Sequence, residues 1–138
     1  MRVFIDSNII LSAALFPDGE VAKVLFYLLK THTIIISSYS IRECDTVFTR
    51  KFPEKITSLK TFFESLEYER FETPANINTQ DYPSMRDISD IPVLASAILS
   101  DADILLTGDK DFTAIKMKKP LIFTPNQYFQ LINNKGNN

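Results

Sequence analysis

The stretch Ile104-Leu105-Leu106-Thr107-Gly108-Asp109-Lys110-Asp111-Phe112 decides how this chain folds. A short apolar run that ends in a small polar residue, a glycine and an acid reads as a strand buried on both faces, with a carboxylate at its end. Gly108 is expected to let the backbone turn tightly and to leave Asp109 exposed there. Strands covered on both faces belong to parallel α/β sheets, which hold ligands in the crevice beyond their carboxyl ends. The chain opens in the same way, with Val3-Phe4-Ile5 running into Asp6, Ser7 and Asn8.

Outward from these two segments, short apolar runs alternate with longer helical patterns. Strands are expected at 2–6, 33–37, 69–73, 103–107 and 121–124, and helices at 8–15, 20–31, 39–51, 53–67, 92–100 and 126–132, with a short turn at 112–115. Ile34-Ile35-Ile36 is apolar without a break, as a doubly covered strand should be. Strands separated by helices predict a largely parallel sheet with helices on both faces. This gives one α/β domain over 1–132 and a disordered polar tail at 133–138. The polar stretch 73–84 is long for a compact α/β domain and ends just before a group of acids; base rates favour a variable connection over a flap at the site.

The 138 residues are 45% apolar, with eleven Phe and no Trp, an ordinary composition for one globular core. Acids outnumber bases 17 to 15, and setting aside the candidate site acids leaves a slightly basic remainder. That is compatible with a nucleic-acid partner without arguing for one. A single Cys44 excludes an intrachain disulfide framework, and Cys44 with the single His32 cannot make a zinc site. Cys44 reads as a small core residue and His32 as a helix-end or loop residue. Asp6 and Asn8 interrupt what would be the apolar region of a signal peptide, and no apolar run approaches bilayer length. A cytoplasmic protein without a membrane partner is expected.

The acids carry the chemistry, and each has a plainer reading. Asp6, followed by Ser7 and Asn8, stands where a helix cap would stand. Glu43 falls beside Val47 at the border of the apolar face formed by Ile41, Cys44, Val47, Phe48 and Phe52, where it could reach a crevice, stay solvated or pair with Arg50. In Asp87-Ile88-Ser89-Asp90-Ile91-Pro92, Asp90 sits at the mouth of an apolar helix, again a capping position, and Ile91 before Pro92 is biased away from helical angles. Asp111 can cap a short turn, and Phe112 is most economically core. Caps, however, need no common destination, whereas Asp6, Glu43, Asp90 and Asp109 would converge. Carboxylates sharing one spot protonate or recruit a cation, and an all-oxygen set favours Mg²⁺ or Mn²⁺.

The order of these pieces resembles the PIN-domain nuclease family: Val3-Phe4-Ile5-Asp6-Ser7-Asn8, then Ser40-Ile41-Arg42-Glu43, then Asp87 to Ala95, then Leu106-Thr107-Gly108-Asp109-Lys110-Asp111-Phe112, and a closing Phe123-Thr124-Pro125. The chain departs from one common pattern at Ile91, where an Asn often follows the Asp. The resemblance implies a Rossmann-like three-layer α/β/α sandwich with a parallel sheet of about five strands in the order 3-2-1-4-5. It implies a Mg²⁺- or Mn²⁺-dependent endoribonuclease, the toxin of a VapBC-type toxin–antitoxin pair, with an RNA substrate, an antitoxin protein as partner and a homodimeric state. Asp6, Glu43, Asp90 and Asp109 would be the catalytic, metal-binding acids, Ser7 an orienting hydroxyl, and Asp87 and Asp111 auxiliaries. The reaction would be in-line hydrolysis leaving a 5′-phosphate and a 3′-hydroxyl. Arg42, Arg50 and Lys110, with Lys51 and the run Lys116-Met117-Lys118-Lys119, are candidates for holding the RNA backbone.

Other classes compete. A haloacid-dehalogenase-like phosphatase needs a second Asp two residues after the first, where this chain has Asn8. A receiver domain needs a pair of adjacent early acids, which is missing. A catalytically silent PIN-like protein-binding module is the non-enzymatic alternative; retention of all the acids counts against it.

Overall fold

The computed structural model describes residues 1–136. Five strands, β1 (Arg2–Ile5), β2 (Thr33–Ser37), β3 (Glu69–Phe71), β4 (Ile104–Leu106) and β5 (Leu121–Phe123), form one sheet in the order β3-β2-β1-β4-β5. All pairs are parallel, with Val3 opposite both Ile34 and Ile104. The fold class is the one expected from the sequence pattern, and the strand order is the one implied by the family resemblance.

Among the described residues seven α-helices cover the sheet: α1 (Ser7–Leu15), α2 (Glu20–Thr31), α3 (Ser38–Lys51), α4 (Ile56–Ser65), α5 (Ile91–Leu99), α6 (Lys110–Thr113) and α7 (Pro125–Gly136). The period-2 alternation of strand side chains divides the core between the two faces. Val3, Ile5, Ile34, Ile36, Ile104 and Leu106 pack with α1, α2, α3, α4 and α7 through residues such as Ile10, Leu25, Phe48, Leu59 and Tyr128. Phe4, Ile35 and Leu105 point the other way, onto Val93, Leu94 and Ala97 of α5 and Phe112 of α6. Cys44 and Phe112 are core residues, as read from the sequence. Among the described residues no helix is long and apolar enough to cross a membrane.

The boundaries differ in instructive places. The expected helix over 53–67 breaks into a 3₁₀ turn, Pro53–Lys55, followed by α4. Ile91 takes helical angles (φ −62°, ψ −39°) despite preceding Pro92, because its N–H closes the 3₁₀ turn Ile88–Asp90 onto Ile88 and its side chain is buried. The short turn expected at 112–115 begins earlier, as α6 at Lys110. The last helix runs past Ile132 to Gly136, into the expected tail; Asn137 and Asn138 lie outside the described residues.

Candidate metal centre

The parallel register places the ends of β1 and β4 side by side. The Asp6 N–H donates to the Leu106 carbonyl at 3.0 Å, which carries the ladder one step past both strands. Asp6 is the N-cap of α1, and its carboxylate is heavily engaged. Oδ1 accepts from the Ser7 N–H at 2.7 Å, while Oδ2 accepts from the Thr107 hydroxyl at 2.8 Å and the Asn8 amide at 3.3 Å. Thr107 is fully buried, and its Oγ1 also accepts the Asp109 N–H at 3.0 Å. One hydroxyl thus links the two strand-end acids. Sequence reading assigned Thr107 no role, because its partner lies 101 residues away and appears only once the strands pair.

Asn8 makes a second tie, accepting the Gly108 N–H at 3.1 Å. Gly108 does not have a positive φ, contrary to the tight turn expected of it. A Cβ built there would meet Asn8 Oδ1 at 3.6 Å, an ordinary contact, so the bend does not require glycine. Asp109 caps α6 by accepting the Asp111 N–H at 2.9 Å, which corrects the reading of Asp111 as the cap.

Asp90 occupies the N-cap position of α5 but makes no side-chain capping bond. Its carboxylate is left for other partners, so the plainer reading of this acid does not hold. Oxygens of Asp90, Asp109 and Asp111 all lie within 4.8 Å of one another. Asp111, given an auxiliary place above, therefore belongs to the tightest carboxylate group. Glu43 reaches the same edge from α3 and accepts the Ser7 hydroxyl at 3.2 Å, so Ser7 stands between Glu43 and Asp6. Asp87 is exposed and caps the Ile88–Asp90 turn, taking the Ser89 N–H at 3.0 Å and hydroxyl at 2.8 Å.

The electrostatics record the crowding. Burial pushes the Asp6 carboxyl up, and Asp109 adds to this, against the hydrogen bonds from Thr107 and Ser7. Glu43 is raised by burial and then by Asp6 and Asp90, against the Ser7 hydroxyl. Asp90 is raised to about 6 by burial, then by Asp109, Asp87, Asp6 and Asp111. Among the described residues the ion pairs involve Glu69, Glu72, Asp101 and Asp103, and none neutralises these acids.

The residues present fit a hard divalent cation. Every donor is a carboxylate oxygen, and an octahedral shell at about 2.1 Å needs ligands about 3–4 Å apart, within small side-chain rotations of the Asp90–Asp109–Asp111 arrangement. The proposed cations are spread more widely. Arg42, next to Glu43, and Lys110, next to Asp109, are exposed at this edge. Arg50 lies about 10 Å farther along α3 than Glu43, and Lys51 follows it at the end of the same helix. Lys119 pairs with Asp101 at 2.8 Å at the opposite, amino end of the sheet.

Comparison with known proteins adds three findings. A family model described as PIN domain matches residues 2–111. No curated protein matches the sequence. Among solved structures, the chain is similar to one in VapBC2 from Rickettsia felis bound to a DNA fragment from its promoter, with a TM-score of 0.65, 21% identity, and 90% of this chain and 98% of that one covered. At that identity the likeness speaks for the fold.

Proposed function

This chain belongs to the PIN-domain family, and from that premise we propose that it is a Mg²⁺- or Mn²⁺-dependent ribonuclease, the toxin of a toxin–antitoxin pair. The observation that supports this best is the group of carboxylates at one sheet edge, Asp6 after β1, Glu43 on α3, Asp90 at the start of α5 and Asp109 and Asp111 after β4, none of which is in an ion pair among the described residues. Asp90, Asp109 and Asp111 would hold the ion, with Asp6 and Glu43 beside them. When bound, the ion supplies Lewis acidity toward a phosphodiester and lowers the pKa of water.

The chain's own residues divide the remaining work. Asp6, with both oxygens committed to Ser7, Asn8 and Thr107, is a fixed carboxyl group that sets the position of its neighbours. Glu43 accepts one hydrogen bond and has a raised pKa, which suits it to take the proton from an attacking water. Ser7 orients Glu43. Arg42 and Lys110, exposed next to Glu43 and Asp109, would bind the RNA backbone. Hydrolysis would leave a 5′-phosphate and a 3′-hydroxyl.

By analogy with the VapBC2 assembly, one partner would be an antitoxin protein; a second copy of this chain is what the family resemblance implies, and a cytoplasmic setting remains the expectation from the sequence. The test is an RNA cleavage assay with Mg²⁺ or Mn²⁺ and with chelator, beside Asp6→Asn and Asp109→Asn. Cleavage should need the ion and vanish in both variants. An intact protein inert on varied RNAs, or variants that cut equally well, would sink the proposal. Hydrolysis of phosphomonoesters without action on RNA would favour the phosphatase reading.

A further inference from the structure

Beyond the carboxylates, the same edge of the sheet carries two clefts that share a wall. One, of about 490 Å³, lies between the start of α3 and the segment after β3, and its lining includes Tyr39, Arg42, Pro74 and Ile77. The other, of about 810 Å³, includes Arg86 and Asp111. Thr79, Ile88 and Ile91 border both, so the two clefts adjoin and together form a grooved surface between Asp111, in the acid cluster, and Arg42.

The wall formed by the segment after β3 is tied down. The Thr73 N–H donates to Ser38 Oγ at 2.9 Å, Thr73 Oγ1 accepts the Tyr39 N–H at 3.3 Å, and the Thr73 and Ser96 hydroxyls lie 2.9 Å apart. The Tyr39 hydroxyl donates to the Ser89 carbonyl at 3.2 Å, which fixes the ring beside the turn that carries Asp90. The ring is half-buried, with its phenol pushed up by burial and then by Glu43 and Asp90. It therefore lines the cleft within reach of the acids' field.

Resting on the ribonuclease reading, we propose that this groove is the path of single-stranded RNA, with Tyr39 as the stacking platform for a base beside the scissile phosphate. Arg42 and Arg86 would bind phosphates on the two sides of it. The smaller cleft falls in the size range of sites that enclose a small ligand, such as a single nucleoside. Apart from Arg42 its lining is uncharged, which suits a base, while the acids next door would repel a phosphate not covered by an ion. Among the described residues neither Arg42 nor Arg86 is in an ion pair, so both guanidinium groups are available to an anion brought by the ligand. Ile88, two-thirds exposed between Asp87 and Asp90, offers an apolar edge where the two clefts meet. A chain with alternating flat apolar and anionic parts matches this sequence of surfaces; a peptide without acidic residues would leave the two arginines unanswered.

The groove can be tested separately from the chemistry. Binding of a labelled single-stranded RNA octamer is measured on the full chain carrying Asp6→Asn, and cut positions are mapped on a randomised RNA with the active protein. Tyr39→Ala should weaken binding by about 5- to 100-fold, the range of a lost stacking contact, and erase base preference at one position beside the cut. Tyr39→Phe should keep both. Arg42→Ser, a surface change that does not put folding at risk, should lower the slope of log affinity against log salt by about 0.7. Folded Tyr39→Ala with unchanged affinity and cut positions would overturn the proposal, as would an unchanged salt slope in Arg42→Ser. So would variants that loosen a protein complex while leaving RNA binding intact. If the protein binds the octamer through Tyr39 but never cuts it, the ribonuclease reading fails and the groove stands; cutting with an unaltered pattern in Tyr39→Ala gives the reverse.

Discussion

The two ends of the sheet use the same residue types to opposite effect. At the amino end, Arg2 grips Glu69 through two hydrogen bonds of 2.8 and 3.2 Å, and Lys119 reaches Asp101 at 2.8 Å and Asp103 at 3.6 Å. Glu69 and Asp103 are held below the usual carboxylate range, Glu69 by Arg2 and Asp103 first by the Arg2 N–H. At the carboxyl end, Asp6, Glu43 and Asp90 are pushed up by burial and by each other. One end completes its charges internally. The other leaves charge for something external to complete, which is how a binding site differs from a structural ion pair.

The strongest way to break this contrast is to remove charge at the carboxyl end. Asp109→Asn keeps the shape of the cap and should lower metal-dependent RNA cleavage by about 10³-fold or more, while Glu69→Gln leaves it unchanged; equal activities would place the chemistry elsewhere. The next effect is on stability. Mn²⁺ at about 100 times its Kd should stabilise the protein by about 2.7 kcal/mol in thermal or denaturant unfolding. Asp90→Asn should raise the melting temperature of the metal-free protein and reduce this gain.

The pH dependence follows the same division. The Asp90 carboxyl is raised to about 6 in the folded protein against 3.8 for the free group, so between these values the native state binds more protons than the unfolded one. Its contribution to stability is therefore present at low pH and is lost as pH rises through about 6. For Glu69 and Asp103 the sign reverses, and their contribution is lost as pH falls below the usual carboxylate range. Metal-free melting temperatures should therefore rise from pH 7 to about 5.5. Saturating Mn²⁺ should flatten that rise; a rise of the same size with Mn²⁺ present would show that the ion does not occupy these acids.

Smaller effects sharpen the picture. Thr107→Val leaves the buried Asp6 carboxylate short of one donor and should cost about 1–3 kcal/mol in denaturant unfolding. A double-mutant cycle on Arg2 and Glu69 should give about 0.2–1 kcal/mol, since the pair is largely solvated. Gly108→Ala should stay within about 0.5 kcal/mol of the parent.

Much of this was legible in the sequence. Ile34-Ile35-Ile36 and Ile104-Leu105-Leu106 announced doubly covered strands because each is a short apolar run bounded by polar residues and turn formers, and α2 has the expected limits, Glu20–Thr31. Helical geometry put Glu43 on the border of a buried face, and it stands there half-buried on Ser7. The features missed depend on long-range placement. Thr107 gains its role from a strand paired across most of the chain, and Asp111 enters the cluster because α6 starts at Lys110, so that Asp109 is its cap. The freedom of Asp90 from capping is equally invisible in a string of residues, since a cap position and a cap bond look alike there.

The pairing of β1 with β4 also has a consequence in time. β1 is made first and is the middle strand, yet one of its neighbours and three of the acids, Asp90, Asp109 and Asp111, lie in the later part of the chain. During synthesis the growing chain carries Asp6 without Thr107 to hold it, and an unfilled edge beside Val3-Phe4-Ile5. A product of interrupted translation that stops before β4 therefore lacks the strand that flanks β1 on that side, together with Thr107, Asp109 and Asp111.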